Sequence, residues 1–371
     1  ETLMTLPVLH LSGTPYEQGV QHGRQLQAQI AHNLAIYFDR FWREANVGQA
    51  EVLQRAARYA AAIATDNAGY HAGMAGIAAG SGFSLAEIAA LNVRYEILYY
   101  NNVVTALAKG TAAPPVDGCT AFAVAPAGTS NQHLLLGQNW DWIPEVRGAL
   151  LHTSAPGQPA TLAFTEAGIF GGKIGLNEAG LGLAINGITS MDDDWTRLSK
   201  PFHVRCYEIL RQWTFAAAVN VVVGPGRACS ANFLIAQVPD LAVDIEAAPQ
   251  ANNQLTWDDG CLVHTNHFVD PAGLGITEPD PEYRVTSCRR YDRMQELLRR
   301  SRPVSIPLLQ NYLQDHTTPP KTICRHEDPA APIDERYSTI TAIIMDLHQR
   351  TLHITDGPPC ENPFQEYALQ S

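Results

Sequence analysis

The hydrophobic pattern of this chain changes period at one place, between Lys109 and Gly118, and that change limits what it can fold into. Upstream, apolar residues recur every three or four positions. Tyr16, Val20, Leu26, Ile30, Leu34, Tyr37 and Phe41 trace one face of a helix, as an amphipathic helix requires. Thr14 followed by Pro15 supplies an N-cap and a first helical residue. A second helix, rich in Ala and Arg, is expected over 51–63. A third begins after Gly82-Phe83, where Ser84-Leu85-Ala86-Glu87 has the capping-box form, and continues through Ile88, Leu91, Tyr95 and Leu98. The segment from Lys109 to Gly118 carries Gly110, Pro114 and Pro115, so it reads as a loop or linker.

Downstream the text turns to short β-prone runs at 120–124, 133–137, 161–165, 181–188, 232–238 and 241–245. Helices at 201–213 and 284–298 interrupt them, and 339–347 and 351–355 flank His348-Gln349-Arg350 as a hairpin. Helices set among mostly antiparallel strands predict a layered α+β architecture. The 371 residues, 46% of them hydrophobic, suffice for a sizeable core in one large domain or two ordinary ones. The net charge of −12 repels phosphate backbones and anionic membranes, so neither nucleic acid nor a membrane is an expected partner. The longest apolar runs, such as Phe215–Val219, fall far short of the roughly 20 residues that span a bilayer. Seven widely spaced cysteines without a C-x-x-C argue against a disulfide scaffold. A cytoplasmic location is expected, with a removed export signal before Glu1 left open.

The junction of the two halves reads Asp117-Gly118-Cys119-Thr120. Gly118 has no Cβ, which leaves its carbonyl open to a neighbouring thiol. Attack by Cys119 would convert the peptide to a thioester, and water would then release a chain beginning at Cys119. That chain carries an α-amine of pKa about 7.7–8.0 beside a thiol of about 8.5. The amine can take the thiol proton, and the thiolate can attack an amide or thioester carbonyl. The dipeptide alone equally describes a small buried cysteine at a strand start. Its surroundings add Gly137-Gln138-Asn139-Trp140-Asp141-Trp142, then Thr165-Glu166-Ala167-Gly168-Ile169, and then Val263-His264-Thr265-Asn266-His267-Phe268.

These segments, in this order, resemble the acyl-coenzyme A:6-aminopenicillanic acid acyltransferase family, also called the isopenicillin-N acyltransferase or C45 family of autoproteolytic N-terminal-nucleophile (Ntn) hydrolases. The likeness runs from Gly13-Thr14-Pro15 and Gln21-His22-Gly23 to the terminal hairpin. It implies a four-layer αββα sandwich with a helical N-terminal segment. It also implies cleavage between Gly118 and Cys119, giving a helical chain 1–118 and a catalytic chain 119–371 that remain one intertwined unit. Cys119 matches the nucleophile, and Asn266 a side chain whose NH₂ hydrogen-bonds the developing oxyanion. Asp141 matches an aspartate facing the active site, able to orient the α-amine of Cys119 or receive a cationic amine on the substrate; a solvated turn residue is the competing reading. Arg325, in Thr322-Ile323-Cys324-Arg325, is similar to an arginine that contacts a substrate carboxylate, a task suited to a guanidinium fork. Thr322 and His326 depart from the family's pattern, and a surface ion pair is the alternative.

Trp140 and Trp142 are candidate walls of an acyl pocket, or core. Thr120 and Phe122 lie on the strand face opposite Ala121, and one or both are expected to line the pocket. Glu166 and Lys173 are read as a polar pair inside the precursor. The activity favoured is hydrolysis of a small N-acyl amide through a Cys119 thioester. The alternative is transfer of an acyl group from a thioester or amide donor, acyl-CoA among them, to an amine. No cofactor is expected, and a homo-oligomer is left open. A metal-binding reading would rest on His264-x-x-His267, but that spacing suits a helix and no nearby Cys or acidic residue completes it, so no metal is expected. A non-catalytic scaffold is disfavoured by the intact junction.

Overall fold

A computed structural model describes residues 6–109, 118–224, 226–279, 281–317, 319, 321–333 and 336–369, and the side chains of these except 101–103, 105–109 and 281–283. Asp117 and the preceding Pro/Gly linker residues from Gly110 onward lie outside the described residues. The N-terminal part folds as α1 (Pro15–Gln25), α2 (Gln27–Ala45), α3 (Gln49–Asp66), α4 (Ala68–Ser81), α5 (Leu85–Asn92) and α6 (Arg94–Lys109). Both expected N-termini are capped reciprocally. The Thr14 and Ser84 hydroxyls accept from the amides of Glu17 and Glu87, whose carboxylates accept from the cap amides at 2.7 and 2.8 Å. The long first helix divides at Leu26 and the third at Val93, where ψ rises to 20° and 18°. Helix α4 escaped the periodicity argument because its inner face is glycine. A Cβ on Gly76 would stand 2.2 Å from the Tyr16 carbonyl oxygen, and one on Gly19 2.2 Å from that of Gly73. Backbone packs on backbone here, so no apolar stripe marks the contact.

The strands in chain order are β1 (Val8–Ser12), β2 (Thr120–Val124), β3 (Leu135–Trp142), β4 (Gly148–Ala155), β5 (Gln158–Glu166), β6 (Ile174–Asn177), β7 (Leu181–Asn186), β8 (Ala231–Gln237), β9 (Leu241–Ala247), β10 (Asn252–Leu255), β11 (Cys261–His264), β12 (Ser338–Asp346), β13 (Thr351–Ile354) and β14 (Gln365–Ala368). Among the described residues they form two sheets, ordered β1-β4-β5-β6-β7-β8-β9-β10 and β11-β2-β3-β12-β13-β14. Pairing is antiparallel except for β1 against β4.

β2 and β3 pack face to face on β7 and β8. Helices α7 (Phe202–Leu210) and α8 (Phe215–Val223) cover the outer face of the larger sheet, and α9 (Pro281–Arg300) and α10 (Ile306–Leu313) that of the smaller. The result is helix, sheet, sheet, helix. Every residue of β2 is buried, because Ala121 and Ala123 face the inter-sheet core while Phe122 and Val124 pack toward Met294 and Leu309 of α9 and α10. The N-terminal helices close one end of the sandwich. Asn33 of α2 donates to the carbonyls of Arg147 and Ala167, and Asn92 of α5 to that of Gly168. No helix among the described residues is long and apolar enough to cross a membrane.

Candidate active site

Cys119 directly precedes β2, and its Sγ lies 3.7 Å from the backbone oxygen of Asp141 on β3. Only 1% of it is exposed. The backbone of Gly118 threads between two side chains, for a Cβ there would stand 2.6 Å from Asp141 Oδ2 and 2.7 Å from Arg325 Nη1. A larger residue at this position would have to push aside the Asp141 carboxylate or the Arg325 guanidinium.

Asp141 is a fully buried strand residue, not a solvated turn. Its Oδ1 accepts from Thr339 Oγ1 at 2.7 Å, across the β3–β12 register that pairs these two residues. Thr339 in turn holds Arg325. The Thr339 hydroxyl accepts from the Arg325 amide, and the Thr339 amide donates to the Arg325 carbonyl, both at 2.9 Å. Arg325 is only 5% exposed, with its guanidinium 5.2 Å from the centre of the Tyr337 ring. It makes no surface ion pair among the described residues.

Sequence reasoning missed the residue with the most contacts at the junction. Arg290, on the inner face of α9 and 1% exposed, donates through Nη1 to the carbonyls of Gly118 at 2.5 Å and Cys119 at 2.6 Å. The same nitrogen lies 3.2 Å from Thr120 Oγ1, and Nη2 donates to Asn266 Oδ1 at 2.9 Å. No carboxylate pairs with Arg290 among the described residues, so a buried positive charge faces the Gly118 carbonyl. A guanidinium in that place polarises the carbonyl and favours negative charge on its oxygen. No motif marks Arg290; it is one of many arginines on a basic helix, and only the packing of α9 on β2 singles it out.

Asn266 follows β11. Its Nδ2 donates to the Gly187 carbonyl at 2.9 Å, and its amide to Ser287 Oγ at 2.7 Å. Cys119, Trp140, Trp142, Arg94, Tyr99, Ile185 and Gly187 together line a narrow cavity of about 10 Å³, room for roughly one water. Thr120 and Phe122 do not reach it. The two-residue period of the strand places them on the face opposite Cys119 and Ala121, with Phe122 in the core against α9. A larger cavity of about 290 Å³, lined by Phe164, Thr339 and Asp356, touches Thr339 but not Cys119.

Beside the Cys119 cavity lies a buried charge cluster. Lys173 Nζ is 2.5 Å from Glu166 Oε1, so the pairing read from the sequence is present. Arg94 joins it through Nε at 3.0 Å and through Nη2, and the Tyr37 hydroxyl donates to Glu166 Oε2. The Trp142 indole donates to that hydroxyl at 2.6 Å, and Lys173 Nζ sits 3.2 Å from the centre of the Trp140 ring. Burial opposes the Glu166 charge, but Arg94 and Lys173 overcome it and hold the carboxyl well below its usual range. Burial pushes the Lys173 ammonium down to about 7, against the pull of Glu166. The cluster ties α2 and α6 to the strand ends that carry the site.

His264 and His267 are held by protein groups. His264 Nε2 lies 2.9 Å from Glu246 Oε1, and His267 Nδ1 lies 2.8 Å from Ser287 Oγ. The one grouping of metal-donor side chains found among the described residues lies elsewhere.

Two packed antiparallel sheets between helical layers, a four-layer αββα sandwich, define the fold class. Within that class, the chain belongs to the acyl-coenzyme A:6-aminopenicillanic acid acyl-transferase family, whose sequence profile matches residues 128–360. It is 27% identical over 368 residues to the 40 kDa form of acyl-coenzyme A:6-aminopenicillanic-acid-acyltransferase of Emericella nidulans, an alignment covering 98% of this chain and 96% of that protein. Similar solved structures include a variant of conjugated bile acid hydrolase from Clostridium perfringens, with 11% identity, a TM-score of 0.49, and coverage of 68% of this chain and 92% of that one. Another is an N-acylethanolamine-hydrolyzing acid amidase ortholog from Caenorhabditis elegans, with 16% identity, a TM-score of 0.45, and coverage of 62% and 93%. The profile match begins downstream of Cys119, so the reading of the junction rests on its geometry.

Proposed function

We propose that this chain cleaves itself between Gly118 and Cys119 and then hydrolyses a small N-acyl amide through a thioester on Cys119. The observation that carries the proposal is the Gly118 carbonyl, held by Arg290 Nη1 at 2.5 Å and followed directly by the Cys119 thiol. In the first step Cys119 Sγ adds to the Gly118 carbonyl carbon, and the oxyanion develops against Arg290. The C–N bond then breaks, the nitrogen takes up the thiol's proton, and a thioester remains. Water adds to the thioester carbonyl, leaving a Gly118 carboxylate and a Cys119 with free thiol and α-amine. Cleavage separates the chain into 1–118 and 119–371.

In the mature site the α-amine serves as the base for Sγ. Asp141, whose carboxylate lies against Gly118, orients that amine or receives a substrate amine. Arg325, on the other side of Gly118, takes a substrate carboxylate once the Gly118 backbone has moved aside. Asn266 adjoins the cavity through Gly187 and supplies a side-chain donor for the substrate oxyanion. The two indoles form the acyl wall. A cavity of one-water size in the continuous chain fits a precursor whose substrate space opens with cleavage.

Intact mass and N-terminal sequencing of the purified protein test the first step. Two fragments beginning at residue 1 and at Cys119 are expected, and Cys119→Ala should give one uncut, inactive chain. A Cys119→Ala protein that still splits at 118/119 would falsify the assignment. Acyl transfer is a second reading, favoured by the likeness to the acyltransferase of Emericella nidulans. Incubating mature protein with an acyl-CoA or N-acyl amide, with and without 6-aminopenicillanic acid, separates the two by whether the acyl group ends on water or on the amine.

A further inference from the structure

We propose that His316, Cys324, His326 and Cys360 form a four-coordinate zinc site that clamps the loop bearing Arg325. Their donor atoms lie within 4.8 Å of one another. Cys324 Sγ and Cys360 Sγ are 3.5 Å apart, and the two imidazole Nε2 atoms 3.1 Å apart. His326 Nε2 lies 3.8 Å from Cys324 Sγ and 3.2 Å from Cys360 Sγ. A tetrahedron with Zn–S of about 2.3 Å and Zn–N of about 2.0–2.1 Å has edges of about 3.8 Å for S···S, about 3.3 Å for N···N and about 3.6 Å for S···N. Each of these four separations agrees with its edge to within about 0.4 Å.

Chemistry and surroundings agree with the geometry. Two thiolates and two imidazoles make the donor set that zinc prefers in closed structural sites, where no position is left for water. Glu361 Oε1 lies 3.4 Å from His326 Nδ1, the ring nitrogen opposite the one turned to the cluster. A carboxylate there orients a ligating imidazole and raises its basicity. The two sulfurs are not bonded to each other, and both cysteines are free. On binding, each thiol releases its proton to solvent and the metal takes both thiolates.

The placement gives the site a task. His316, Cys324 and His326 belong to the loop between α10 and β12, and Cys360 to the turn between β13 and β14. Cys324 immediately precedes Arg325, whose guanidinium abuts Gly118. A metal at this point would anchor the Arg325 backbone in addition to its hydrogen bonds to Thr339.

The test uses the full chain without a histidine tag, exchanged into metal-free reducing buffer and measured by elemental mass spectrometry. About one zinc per chain is expected. Cys360→Ser and His316→Ala, both at exposed positions, should weaken zinc binding more than about tenfold in competition with a chromogenic chelator. Cobalt(II) added to metal-depleted wild-type protein should give the thiolate charge-transfer and intense visible bands of a tetrahedral S₂N₂ site, a readout that needs no variant to fold. Metal depletion should lower the wild-type Tm. Cys119→Ala should keep its zinc, so this result and the nucleophile assignment fail independently. Wild-type protein with no zinc and no such cobalt spectrum, a Cys324–Cys360 disulfide in that buffer, or wild-type zinc affinity in both variants would overturn the proposal.

Discussion

Replacing Arg290 tests the junction chemistry most directly. Its Nη1 serves the Gly118 and Cys119 carbonyls while Nη2 serves Asn266, so one planar fork spans acceptors from two elements. Arg290→Met removes the charged donor from the oxygen on which negative charge develops. Loss of one such donor costs about 10²–10³ in rate, or about 3–4 kcal/mol of barrier. Arg290→Lys keeps the charge but cannot reach both ends of the fork, and an intermediate slowing of roughly tenfold is expected. The assay follows the fraction of chain cut at 118/119 with time after synthesis, by gel and intact mass, with circular dichroism to show that each variant folds. Folded Arg290→Met maturing at the wild-type rate would refute the assignment. Normal maturation with slow substrate turnover would instead confine Arg290 to the mature site, through Asn266.

Three further outcomes follow from the geometry. Gly118→Ala should slow maturation by about tenfold or more, because its Cβ would crowd the Asp141 carboxylate, held by Thr339, and the Arg325 guanidinium at a cost of about 1–3 kcal/mol; unchanged kinetics would remove the steric argument. Glu166→Gln leaves Arg94 and Lys173 buried without their anion and should cost about 3–5 kcal/mol in a urea melt, whereas Lys173→Met leaves the Arg94–Glu166 pair intact and should cost less; the reverse order would contradict the charge count. Glu96, buried in α6, is pushed by burial from 4.5 up to about 7 against the amide of Phe202. Between these values the folded chain keeps a proton that the unfolded chain has lost. Stability from this group therefore falls as pH rises from about 4.5 to 7, by at most roughly 3 kcal/mol. Glu96→Gln should flatten that part of the stability curve, and a slope identical to wild type would show that Glu96 ionises normally.

The family relationship sets the chain in the acyl-coenzyme A:6-aminopenicillanic acid acyl-transferase family. Its own junction adds an arginine from α9 that links the Gly118 and Cys119 carbonyls to Asn266. On the proposed mechanism, this arrangement would give self-cleavage and substrate turnover separate donors on their oxyanions. Arg290 meets the Gly118 carbonyl in the continuous chain, while Asn266 donates to the Gly187 carbonyl at the cavity wall.

Local chemistry was legible in the sequence wherever neighbouring residues suffice to determine it. The caps at Thr14 and Ser84, the strand after Cys119, the terminal hairpin and the change of period near residue 110 all depend on short spacings. The Glu166–Lys173 pair was nearly as legible. The tertiary structure decided what depends on elements meeting across the chain. Strands buried on both faces lose the alternation that would show which side chains share the cavity, so Phe122 went to the core and not to the site. The contact of α4 with α1 is lined by glycine backbone and so leaves no apolar mark in the sequence. Arg290 and the His316, Cys324, His326 and Cys360 quartet have no signature along the chain, since their partners lie 24 to 172 residues away for Arg290 and the quartet closes over 36 residues between Cys324 and Cys360. Sequence spacing encodes hydrogen bonds within a turn, but charge placement and metal geometry arise only when separate elements pack.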